Sequence, residues 1–228
     1  MAWNVAGAEF VPASDRSLLV SFGGGISEEA SRRVAALTRT LATDPIPHVS
    51  NIHPAYCSVL VVFDPVRASH EDLVREVTAR LDAGAPAPEG RTVEIPVCYG
   101  GEFGPDLEAV AAAHGLTIGR TVELHSGATY TAQFLGFVPG YAYLSGVPGE
   151  IVTPRLDTPR RRVPAGSVAI AGKQAGIYPF ATPGGWRILG RTPLTVFQPD
   201  RDPMNLISLG DRVRFVPITR HQFEEAAR

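Results

Sequence analysis

Of the chain's 23 glycines and 20 prolines, eighteen fall between Gly136 and Thr195, about twice the density found elsewhere in the sequence. Proline removes a backbone donor and glycine raises the entropy cost of any regular element, so no long helix crosses this stretch. Short strands, turns and loops are left, and the lack of a Gly-X-Y period excludes a collagen-like rod. The full length of 228 residues suffices for one large domain or two modest ones.

Several function classes drop out. No apolar run approaches the roughly 20 residues that span a bilayer. Met1 to Phe10 carries Glu9 and no basic residue, unlike a secretory leader. Cys57 and Cys98 have neither metal nor redox spacing, which fits a reducing cytoplasm. A formal net charge of −2 argues against nucleic acid as the main partner. Of 21 basic residues, 20 are Arg and only Lys173 is lysine. Codon preference accounts for that bias, since either residue solvates a surface, yet any chemistry needing a side-chain amine falls to Lys173.

The first ninety residues alternate strand and helix patterns. Arg16 to Phe22 reads as a strand broken by Gly23-Gly24-Gly25, and Ser27 is placed to cap a helix to about Leu41, with Val34, Leu37 and Leu41 on one face. Cys57 to Phe63 reads as a buried strand, and Ser69 to Asp72 as a capping box opening a helix whose Leu73, Val74, Val77 and Leu81 face inward. This predicts an α+β N-terminal domain over residues 1–85. Gly84 to Gly90 is the linker candidate, and a mainly-β domain follows over 91–228. There, strands are predicted at Thr92 to Cys98, Tyr130 to Phe137, Val168 to Ala171, Trp186 to Leu189, Leu194 to Phe197 and Arg212 to Val216. Helices are predicted at Pro105 to His114, with Pro105 in the first turn, at Ile118 to His125 and at Arg220 to Arg228.

Gly166 to Gln174 resembles a phosphate loop only superficially. The glycine spacing is one residue too long, Gln174 stands where Ser or Thr would hold magnesium, and no helix start follows. The Gly-x-Ser-x-Gly elbow of serine hydrolases is absent. The six histidines are scattered without helical pairing, so no metal is expected. His125, before Ser126-Gly127, reads first as a C-terminal helix cap and second as a weak candidate for a general base. The positive constellation runs from Phe137 to Arg191. It holds Arg155, Arg160, Arg161, Arg162, Lys173, Arg187 and Arg191 against Glu150 and Asp157, a local +5 that leaves −7 elsewhere. Arginine forks and exposed backbone N–H groups suit carboxylate and phosphate oxygens. The interleaved Tyr141, Tyr143, Tyr178, Phe180 and Trp186 serve a ligand pocket, an interface or barrel packing.

The order of these residues is informative. Phe137-Val138-Pro139-Gly140-Tyr141-Ala142-Tyr143-Leu144 precedes Pro154-Arg155, Pro159-Arg160 and Arg162-Val163-Pro164-Ala165-Gly166-Ser167-Val168. Gly172-Lys173-Gln174-Ala175-Gly176-Ile177-Tyr178-Pro179, Thr182-Pro183-Gly184-Gly185-Trp186 and Gly190-Arg191-Thr192-Pro193 follow. With Arg16 to Val20, Tyr99-Gly100-Gly101, Pro105-Asp106-Leu107 and His125-Ser126-Gly127, the series resembles the family called allophanate hydrolase subunit 1. That family includes the B subunit of 5-oxoprolinase and a Kip-type inhibitor of a sporulation histidine kinase. Ala175 departs from the Thr expected there.

The resemblance implies an α+β N-terminal domain followed by a cyclophilin-like β-barrel. It implies a second subunit with a related barrel, a LamB-type third subunit in the 5-oxoprolinase branch, and ATP consumed at the level of the complex. No metal or biotin is expected on this chain. The activity implied is the opening of 5-oxoproline to glutamate; urea- or allophanate-type carboxyl transfer and kinase inhibition are the alternatives. On that basis Arg155, Arg160 and Arg162 are anion-holding candidates, and Gln174 is suited to a lactam or urea edge, or to a catalytic part. Tyr141, Tyr143 and Tyr178 would shape the site, Gly184 and Gly185 would admit a ligand to the backbone, and Arg191 completes the set.

Overall fold

The computed structural model describes residues 2–25, 27–82 and 90–227. The chain forms two compact units, Met1–Glu89 and Gly90–Arg228. Apart from Gly90, the linker candidate Gly84 to Gly90 lies outside the described residues.

The first unit is built from β1 (Trp3–Val5), β2 (Ala8–Ser14), β3 (Ser17–Ser21), α1 (Glu28–Thr43), β4 (Val49–Pro54), β5 (Ser58–Phe63) and α2 (His70–Asp82). The strands make one antiparallel sheet in the order β1-β2-β3-β5-β4. Ser27 Oγ accepts from the Ala30 N–H at 3.1 Å, which starts α1. Ser69 and Asp72 satisfy each other's backbone N–H at 3.1 Å, which starts α2. Strand alternation buries Leu18, Val20, Val59, Val61 and Phe63 against Val34, Leu37 and Leu41 of α1 and Leu73, Val74 and Val77 of α2.

The second unit holds β6 (Thr92–Tyr99), α3 (Leu107–Ala113), α4 (Ile118–Gly127), β7 (Tyr130–Leu135) and β8 (Ala142–Ser145). It continues with β9 (Arg160–Val163), β10 (Ser167–Ala171), β11 (Gln174–Ile177), β12 (Thr182–Gly184), β13 (Arg187–Arg191), β14 (Arg212–Pro217) and α5 (Arg220–Ala226). Seven strands close a barrel in the order β10-β11-β8-β7-β14-β6-β13. A ring with an odd number of strands cannot alternate direction throughout, and the parallel pair is β6 with β14. β9 and β12 form a separate two-stranded ribbon.

The glycine- and proline-rich stretch contains six of these strands, all of five residues or fewer. Sequence patterning recovered two of them, because the others hold too few residues to show a period. The strand predicted at Leu194 to Phe197 does not form: Phe197 makes only an isolated bridge to Asn205. Pro105 precedes the Asp106 N-cap rather than entering α3, so the first-turn assignment is corrected. Gly172-Lys173 is the tight connection between β10 and β11, with Ala171 paired to Gln174 and Gly172 at φ +57°. Strand, not helix, follows it.

Candidate functional site

Period-two alternation splits β8, β10, β11 and β13 into two chemically different faces. Leu144, Val168, Ile170, Ala175, Ile177 and Leu189 point into the barrel and are sealed with Ile95, Val97, Tyr130 and Phe215. Tyr141, Ala169, Ala171, Tyr178 and Ile188 form a second cluster with Trp186 and with Val163 of β9. Ala175, where Thr was expected, is fully buried in the barrel interior, where a hydroxyl would have to find a partner.

The aromatic side chains of the second cluster interlock. Tyr141 meets Tyr143, Tyr178 and Trp186 edge-on at ring separations of 5.1, 5.3 and 5.7 Å, and exposed Phe137 at 5.5 Å. Phe137 holds φ +68°, a left-handed backbone that a bulky side chain adopts only under constraint. Tyr141 and Tyr178 are each 2% exposed and therefore support the site rather than line it, while Tyr143 is half-buried. Burial raises the Tyr143 and Tyr178 phenols above their usual range, so both are neutral; Arg155 opposes the shift at Tyr143, and a Trp186 backbone hydrogen bond, Arg160 and Arg155 oppose it at Tyr178.

Two glycines let this layer close. A Cβ on Gly176 would lie 2.6 Å from the Tyr141 hydroxyl, and one on Gly184 would overlap the Tyr178 ring. The space beside Gly184 expected to admit a ligand is occupied by Tyr178. Gly185 is looser, its nearest neighbours being Leu156 and Pro159 at 3.6 Å.

The cationic candidates differ in setting. Arg155, Arg161, Arg162 and Lys173 are exposed. Arg160 is half-buried, its side chain 29% exposed, and its Nη2 donates to Asp106 Oδ1 at 2.8 Å. Arg187 and Arg191 donate through Nε to the carbonyls of Pro154 and Ala165, at 3.1 and 2.8 Å. Arg191 therefore has a loop-fastening role, which its arginine identity alone did not reveal. Gln174 is half-buried on the aromatic side of β11, two residues before Gly176, and pairs with Ser145 of β8. The structure thus gathers Tyr141, Tyr143, Tyr178, Gly184 and Arg160, with Arg155 close enough to act on the two phenols. Arg191 is engaged elsewhere.

His125 is also outside this group. It is 0% exposed, stacked on Phe215 at 4.7 Å, and its Nδ1 sits 2.7 Å from the Tyr99 hydroxyl. Desolvation lowers its pKa to about 3, so the ring is neutral at physiological pH. It neither caps α4, which runs on to Gly127, nor has the surface to act on a substrate.

Sequence reasoning missed Asp106 as a site residue. It was visible only as part of Pro105-Asp106-Leu107, and its partners lie 54 and 82 residues away. Among the described residues, no group of three or more His, Cys, Asp or Glu is arranged to hold a metal, and no helix is long and apolar enough to cross a membrane.

Comparison with known proteins places this geometry in context. Residues 8–207 match the model of the carboxyltransferase domain, subdomain C and D. The B subunit of 5-oxoprolinase from Bacillus subtilis (strain 168) is 39% identical over 92% of both chains. The protein of the same name from Escherichia coli O157:H7 is 44% identical over 82% of this chain and 86% of its own. The solved structure of TTHA0988 is similar at a TM-score of 0.80 and 41% identity, over 89% of this chain but only 40% of that longer one. Urea carboxylase of Kluyveromyces lactis shares the fold, with a TM-score of 0.78 at 17% identity over 99% of this chain and 23% of its own. A family match across most of the sequence, with relatives 39% and 44% identical along most of their length, establishes that the chain belongs to the carboxyltransferase domain family, subdomain C and D.

Proposed function

We propose that the chain is the B subunit of a multi-subunit, ATP-dependent 5-oxoprolinase that opens 5-oxo-L-proline to L-glutamate. The observation that carries this is the near full-length identity with proteins named as that subunit of 5-oxoprolinase. The fold likeness to urea carboxylase is too distant in sequence to favour the carboxyl-transfer alternative. In this reading residues 1–85 are a separate α+β domain, residues 91–228 are a cyclophilin-like barrel, and a second, related subunit and a LamB-type third subunit complete the enzyme.

The aromatic side of the barrel is the face assigned to the substrate. Opening the lactam adds one water across its C–N bond, while a second water is consumed as ATP becomes ADP and phosphate. Negative charge develops on the carbonyl oxygen, and fixed donors stabilise it best. Arg160 holds an oxyanion, Arg155 and Arg162 supply the outer positive field, and Gln174 offers an amide to the lactam edge. Neutral Tyr143 contributes a hydroxyl. The sequence holds no Gly-x-Ser-x-Gly elbow and no phosphate loop, which fits a subunit that contributes part of a shared site.

The test is 5-oxoproline-dependent ATP hydrolysis by the chain purified with its two partner subunits. Activity is expected in the three-component mixture and not from this chain alone. A silent mixture would remove the reading, and loss of turnover on adding avidin would favour biotin-dependent carboxyl transfer instead.

A further inference from the structure

Asp106 occupies the N-cap position of α3 but makes no side-chain cap bond. Asp at that position ordinarily accepts from the first-turn N–H groups. Here both oxygens are committed elsewhere: Oδ2 accepts the Ile188 N–H at 2.7 Å and Oδ1 accepts Arg160 Nη2 at 2.8 Å. The Asp106 N–H in turn donates to the Ile188 carbonyl at 3.0 Å, so the residue is locked to β13 on two sides. Nearby, Gly100 N–H donates to the Leu189 carbonyl, against which Gly104 packs with no space for a Cβ. The carboxylate is thereby held rigidly, and its side chain is only 7% exposed.

An arginine beside a carboxylate frequently presents two parallel donors to it. Arg160 does not. Its Nη1 is buried and has no hydrogen-bond partner. A charged donor sealed without an acceptor is a standing penalty, removed when an acceptor arrives. The acceptor that suits a guanidinium edge is a carboxylate or phosphate oxygen. Because Nη1 is covered, that oxygen must displace a neighbouring group to reach it.

We infer that Asp106 is a positioning residue for an oxyanion site, fixing the Arg160 guanidinium through Nη2 so that Nη1 meets a carboxylate or phosphate oxygen of the substrates. The inference rests on the 5-oxoprolinase reading for the identity of those substrates, the lactam carboxylate or an ATP phosphate. Asp106→Asn keeps the size and the acceptor for Ile188 but removes the charge that orients Arg160.

In the three-subunit complex, Asp106→Asn is expected to raise KM for 5-oxoproline at least tenfold with kcat within threefold. A rise confined to KM for ATP assigns the oxyanion to phosphate instead. A fall in kcat with both KM values unchanged overturns the inference, because a merely structural acid would act that way. Thermal shift of the full chain gives a readout independent of activity. Each protein is compared with its own unliganded midpoint, in separate arms of 5-oxoproline and ATP. Wild type should be stabilised in one arm and Asp106→Asn in neither; equal shifts in the two proteins, or none in wild type, overturn the inference. Should Asp106→Asn fail to fold, Asp106→Glu retains the charge at a displaced position and should show the same KM effect to a smaller degree. A complex without 5-oxoproline-dependent ATP hydrolysis sinks the enzymatic reading, while the thermal-shift arms still decide whether Asp106 governs oxyanion binding.

Discussion

His125 and Arg160 each bury a nitrogen without a hydrogen-bond partner, and they are accommodated differently. His125 Nε2 lies in the aliphatic and aromatic interior, and the ring remains there by giving up its proton. Arg160 cannot discharge, so it is tolerated only where a carboxylate stands beside it, on the aromatic side. The interior therefore tolerates polarity only in neutral form, whereas the outer side retains a fixed positive charge. The proposed oxyanion site lies on the second side, where the guanidinium stays charged across pH.

The contrast can be broken most forcefully from the inside. Ile170 is fully buried in the barrel, and Ile170→Ala should cost about 2–5 kcal/mol through the cavity it leaves. Chemical denaturation of the chain measures this, and substrate KM in the assembled complex should not change. On the outer side, Gly176→Val forces a branched side chain against the Tyr141 ring. A loss of about 1–3 kcal/mol from overpacking is expected, now together with a change in KM, because the aromatic support moves. If KM is unaffected, the outer layer is packing alone.

Acid sharpens the comparison. His125 has its folded pKa depressed from 6.5 to about 3. The unfolded chain therefore binds the extra proton between those values, so stability held in full above pH 6.5 is lost on acidification toward pH 3. The expected slope is about 1.4 kcal/mol per pH unit in that window. His125→Phe should flatten it, as urea midpoints of the two proteins across pH 4 to 7 would show. The smallest stability effect is expected at the rim: Arg155→Ala, on an exposed side chain, should shift stability by no more than about 0.5 kcal/mol. KM should rise, less than for Asp106→Asn, and the rise should shrink as added salt screens the outer field. A salt-independent KM effect would place Arg155 in direct contact instead.

Helices were legible wherever a cap and a period coincided. Ser27 with Val34, Leu37 and Leu41, and Ser69-Asp72 with Leu73, Val74 and Val77, carry both signals within one or two turns. Strands of four residues were not legible, since β8, β9 and β11 show at most two repeats of an alternation. Leu194 to Phe197 has the right composition but pairs only once, at Phe197, and composition does not supply a neighbour. The site was legible as a neighbourhood: the run from Phe137 to Arg191 contains the aromatic layer and the cations around it. Roles within it were not, as Gly184 and Arg191 show.

By itself the sequence determined that this stretch is short-stranded and basic, that two capped amphipathic helices precede it, and that the chain matches one family. Those properties are local or additive: turn chemistry, period and charge all survive in a one-dimensional reading. Only the tertiary structure decided which alternate residues enter the barrel, that Tyr178 occupies the space beside Gly184, that His125 is neutral, and that Asp106 reaches Arg160 across 54 positions. Desolvation and charge pairing depend on what lies within a few ångströms in space, and closure of the barrel sets those neighbours.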